Sequence, residues 1–138
     1  MRWKQVLVGG VVAGVIVEVV GLAFSWLTQV IGQYNMLELA GMRGVDDPIA
    51  VLFFVYPWVL GFALSYVYSC FEKALEGDST AKGWKFGLLM WIVISVPSAF
   101  LVFVSMNYPF GFTVNSVISP LIYMPVAGVA VAKIHEKL

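Results

Sequence analysis

Four apolar runs, each long enough to cross a bilayer, restrict what this chain can fold into more than any motif it carries. They cover approximately Val6–Ile31, Pro48–Phe71, Trp84–Met106 and Val114–Lys133. A hydrocarbon core of roughly 30 Å needs about 20 apolar residues in a helix. Lipid offers no partner to an open backbone amide or carbonyl, so each run is expected to be helical. Four helices with short connections within 138 residues predict a single membrane domain, 1–138, an all-α four-transmembrane-helix bundle. The charged fraction agrees, at 12% against about 25% in a soluble domain.

The first run follows Arg2 and Lys4, as a secretory signal would, but it continues past Trp26 and contains Glu18. A signal's apolar region is only about 7–15 residues long, so a retained span is expected. Net charge is zero, which provides no basic surface for nucleic acid. Cys70 is the only cysteine, which excludes an intramolecular disulfide and leaves a buried, inert thiol as the expectation.

The eight basic residues divide unevenly. Arg2, Lys4, Lys73, Lys82, Lys85, Lys133 and Lys137 fall on one side of the four runs and Arg43 alone on the other. By the positive-inside rule both termini face the cytoplasm, and the chain belongs in the cell membrane. Trp3, Tyr68 and Trp84 would then mark the inner interface, and Tyr34, Tyr108, Phe110 and Phe112 the outer one. The outer connection, "QYNMLELAGMRGVDD" (33–47), alternates apolar and polar groups, so a short interfacial helix is expected there. Asp46, Asp47 and Pro48 read as a helix start.

Within the first run, Gly10, Gly14, Glu18, Gly21, Ser25, Thr28, Gln29 and Gly32 share one helical face. Small faces let backbones approach in lipid, and Gly10–Gly14 is a GxxxG pattern. The Gly10, Gly14 and Gly21 face is therefore expected to meet protein, either the chain's own bundle or a second copy. Glu18 lies near the bilayer midplane, where a charge costs at least ~2.5–3.5 kcal/mol. No basic residue is expected at that depth, so Glu18 is the candidate proton or ion site. Its candidate neighbours are Gly14, Gly21, Ser25, Tyr56, Ser95, Ser98, Ser119 and Tyr123. Pro57, Pro97, Pro120 and Pro125 cluster at similar depth as expected helix kinks, each freeing a carbonyl one turn earlier.

"GGVVAGVIVEVVG" (9–21) resembles the first helix of the small multidrug resistance transporters, over about 20 of the 138 residues. The resemblance implies that Glu18 would bind protons and cations in competition. "VDDPIAVLFFVYPWVLGF" and "GWKFGLLMWIVISVPSAF" look like small four-span membrane families of unassigned function. Two functional readings stay open: a homo-oligomeric transporter or pore, and a structural or accessory subunit in which Glu18 contacts another membrane protein. No enzyme is expected, because no Ser/His/acid set is foreseen and His135 reads as part of a solvated helix end. No cofactor or metal is implied.

Overall fold

The structure, a computed structural model, describes residues 2–138. Its α-helices are α1 (Trp3–Gly32), α2 (Tyr56–Phe71), α3 (Ser79–Met90), α4 (Val96–Ser105) and α5 (Phe110–Lys137). No strand occurs among the described residues. Three stretches are long and apolar enough to cross a membrane: Trp3–Gly32, Ser79–Ser105 and Phe110–Lys137.

The second apolar run is not the continuous helix expected over 48–71. Pro48–Phe54 is a 3₁₀ stretch, bent by 42° from Tyr56–Ala74, and these two pieces meet the length and hydropathy of a span only together. Pro57 explains the break, because it has no N–H to give to the Phe53 carbonyl and its ring crowds that group. Shorter bonds close the chain instead, from Val55 N–H to Leu52 O and from Trp58 N–H to Val55 O, each 3.0 Å.

The third span also adapts to a proline. Between α3 and α4 lies a π-helical turn, Trp91–Ser95, in which Val96 N–H reaches back to Trp91 O. One extra residue in the turn separates the Val93 carbonyl from the ring of Pro97, a usual origin of such bulges. α5, by contrast, continues through Pro120 and Pro125 without a break.

Only part of the anticipated outer helix forms, a 3₁₀ turn at Met36–Glu38 capped by the Asn35 side chain. Asp47 caps Pro48–Phe54 by accepting from Ile49 N–H, and Asp78 caps α3 by accepting from Ala81 N–H.

α5 is the central helix, with α1 and α3 packed on it and α2 packed on α1. Glycines set both principal crossings. A Cβ on Gly61 would collide with the backbone of Gly10 and Gly14, and one on Gly87 with Met124 and Pro125. Gly83 and Gly128 face each other in the same way. Gly10 and Gly14 are thus covered by Phe62, Trp58 and Gly61 of their own chain, the first of the two partners expected for that face, whereas a Cβ on Gly21 would meet Tyr123 at an ordinary 3.9 Å.

The core extends from the end of the bundle that holds both termini to Val17 and Tyr123, about midway along α1 and α5. It comprises Ala13, Val17, Leu60, Leu64, Tyr68, Phe86, Tyr123, Met124, Ala127, Val131 and Ala132. Tyr68 is therefore a core residue rather than an interface anchor; its ring meets Phe86 edge-on at 5.3 Å. Cys70 is exposed, not buried. At the opposite end α4 touches the bundle only lightly, through α5 and the π turn.

Candidate functional site

Where α4 stands away from α1, the bundle contains a cavity of about 330 Å³. One wall is α1, which presents Val17, Glu18, Gly21, Leu22 and Ser25, residues spaced at three and four along one face. The bent junction contributes Phe53, Tyr56 and Pro57. Ser95 and Ser98, three residues apart across the end of the π turn, come from the third span. α5 supplies Asn115, Ser116, Ser119, Pro120 and Tyr123.

Glu18, half-buried, is the one charged side chain on this wall among the described residues. The Arg43–Asp47 ion pair and the His135–Glu72 contact both lie elsewhere. Around the carboxylate the lining consists of hydroxyls, the Asn115 amide and apolar surface. The Asn115 Oδ1 atom is buried without a hydrogen-bond partner. Ser116 donates its hydroxyl to Phe112 O at 2.9 Å, which leaves its lone pairs open. Pro120 has no amide for the Ser116 carbonyl, so that oxygen lacks its usual helical donor. The lining therefore combines one carboxylate with neutral polar side chains and includes no basic side chain.

Seven of the eight neighbours named from the sequence meet at this cavity with Glu18: Gly21, Ser25, Tyr56, Ser95, Ser98, Ser119 and Tyr123. Gly14 does not, because it lies in the crossing with α2. Pro57 and Pro120 line the space, whereas Pro97 is exposed and Pro125 packs against Gly87.

The C-terminal part of the polar face of α1 does structural work. Gln29 accepts from Met36 N–H at 2.8 Å and donates to Ser25 O at 3.2 Å. Thr28 and Tyr34 share a hydroxyl–hydroxyl contact of 3.3 Å. These bonds fold the 33–47 connection back over α1, so that Met36 joins the cavity lining. Across the space, Trp91 Nε1 donates to Val117 O at 2.9 Å and ties the π turn to α5.

A second polar grouping was not foreseen. His135 is 1% exposed, against the expectation of a solvated helix end. It sits on the inward face of α5 with Ala127, Gly128, Val131 and Ala132, all buried. That three-and-four spacing was the overlooked signal, hidden by the charged residues around it. Ser65 Oγ lies 3.2 Å from His135 Nε2, and Glu72 Oε2 lies 3.7 Å from Nδ1. A Ser/His/acid set does therefore assemble. It has no room for an acyl group, since Ser65 is fully buried and a mere Cβ on Gly9 would lie 2.5 Å from its Oγ.

Comparison with protein-family models, curated proteins and solved structures finds no match to this chain.

Proposed function

We propose that this chain is a multi-pass protein of the cytoplasmic membrane, with both termini cytoplasmic, that moves a proton or small cation by way of Glu18. One observation carries the reading: a lone carboxylate on the wall of a 330 Å³ cavity lined by hydroxyls, with no basic side chain among the lining residues. An acid at membrane depth without a fixed counter-ion either holds a proton or attracts a cation from outside the fold. The asymmetric packing supports a transport role. The terminal end is closed by core, and the opposite end, beside α4, is where the cavity lies.

The test is flux in vesicles under an imposed proton gradient, with Glu18→Gln as the variant. Transport predicts flux in the wild type and its loss in a folded Glu18→Gln protein. A second reading is favoured by the half-exposure of Glu18 beside the loosely held α4. It makes the chain an accessory subunit whose carboxylate meets a charge on another membrane protein. Under that reading no flux occurs, and Glu18→Gln releases the partner.

A further inference from the structure

The buried imidazole at the terminal end joins three helices. The Gln5 side-chain amide of α1 donates to the His135 carbonyl of α5 at 2.6 Å. The Ser65 hydroxyl of α2 lies between His135 Nε2, at 3.2 Å, and the Gln5 carbonyl, at 3.5 Å. Tyr68 of α2 meets the imidazole edge-on, with ring centroids 5.1 Å apart. Gln5, Ser65, Tyr68 and His135 are all buried. The other side of the ring is less settled. Nδ1 is buried without a hydrogen-bond partner, and the Glu72 carboxylate stops at 3.7 Å.

This seat suits a neutral ring. With one ring nitrogen protonated, the contact with Ser65 is satisfied in either direction. A second proton would place a full charge among buried groups, and the Nδ1–H would have no acceptor at bonding distance. Charged groups face the seat from each side. Glu72, on the segment after α2, favours the imidazolium, but its side chain is 36% exposed and therefore screened. Arg2, before α1, lines the adjoining polar crevice with Gln5, Glu72 and Lys73, and it opposes a further positive charge. Glu136 follows His135 on α5 and is exposed. α3 contributes Phe86, which reaches the site through Tyr68 and carries no charge.

We propose that His135 is a proton-released latch. When neutral, it pins the first turn of α1 and the last turn of α5 to α2; when protonated, it leaves its seat for Glu72 and water, and the terminal end loosens. The contacts at that end carry this inference, independently of the transport reading. Histidine is the side chain whose ordinary titration lies in the physiological range, so acidification of the adjoining compartment is the natural trigger.

The chain has a single histidine, so one imidazole signal in nuclear magnetic resonance reports its protonation without ambiguity. The experiment follows that signal and amide hydrogen exchange in the full chain, in lipid nanodiscs, between about pH 8 and pH 5. Protection at the start of α1 and the end of α5, with the intrinsic pH dependence of amide exchange divided out, is expected to fall by up to about tenfold per pH unit as the imidazole takes up its proton, as a one-proton linkage requires. His135→Gln should abolish that dependence. Glu72→Gln, which removes the attracting carboxylate at a partly exposed position, should move the midpoint to lower pH. The latch is overturned if exchange ignores the titration, if His135→Gln keeps the wild-type dependence, or if Glu72→Gln leaves the midpoint unmoved. Should His135→Gln fail to fold, the loss of protection must follow the imidazole midpoint to lower pH in Glu72→Gln, and protection that does not move with it overturns the latch.

Discussion

A Cβ placed on Gly61 would stand 2.5 Å from the backbone nitrogen of Gly14, closer than any side chain tolerates. α1 and α2 therefore cross with their backbones in contact, and this crossing holds one wall of the Glu18 cavity in place. Gly61→Ala is expected to destabilise the protein by about 1–3 kcal/mol, the usual cost of overpacking. Gly21→Ala is the control on the same face of α1. The nearest atom to a new methyl there is Tyr123 Cε2, at 3.9 Å, an ordinary contact. Thermal unfolding in detergent should separate the two, with Gly21→Ala close to wild type.

The α3–α5 crossing makes a parallel prediction. At Gly87 an added Cβ would lie 2.5 Å from Met124 O, so Gly87→Ala should cost a similar amount. The glycines of this crossing are distinct from those between α1 and α2. Their effects should add when Gly61→Ala and Gly87→Ala are combined, as they do for sites without shared partners. A combined loss far below the sum would show that α1 and α3 are coupled through α5.

Asn115 separates stability from ligand capture. Its buried, unpartnered Oδ1 costs the fold free energy, on the order of 1–3 kcal/mol for an orphaned polar atom. Asn115→Leu removes that atom and should leave unfolding unchanged or raise its midpoint. The same change takes a polar side chain from the lining of the cavity that holds Glu18, so cation binding by calorimetry should weaken. Unchanged binding would assign Asn115 to packing alone.

The cavity lining was legible in the sequence because helical periodicity and membrane depth are both properties of spacing. Gly21, Ser25, Ser95, Ser98, Ser119 and Tyr123 could be placed near Glu18 by counting turns from the ends of the apolar runs. Gly14 was misjudged because periodicity gives the direction of a face and not the helix that fills it; Gly61 and Trp58 fill it. The break at Val55 and the π turn at Trp91–Ser95 depend on how each helix absorbs its proline, a choice made by packing. His135 was missed for a different reason. Lys133, Glu136 and Lys137 surround it in sequence, while the three-and-four spacing that turns it inward connects it to Val131 and Ala132.

Asp47 provides a prediction about pH at the end of the bundle opposite the termini. Its carboxylate accepts from Arg43 Nη1 at 2.9 Å and from Ile49 N–H at 2.9 Å. The Arg43 guanidinium, and then the Ile49 amide, hold the carboxyl below the usual carboxylate range. A depressed value in the folded state means that the cap is fully present above an ordinary aspartate's titration, near 3.9. It is lost only as pH falls through the lower, folded value. The Ile49 amide signal should accordingly stay unchanged on acidification to about pH 4 and shift below it. Arg43→Ala removes the larger cause, so the shift should then begin at higher pH while the Ile49 contact remains. An identical midpoint in wild type and Arg43→Ala would mean that the ion pair is absent in solution and that Asp47 acts through its backbone cap alone.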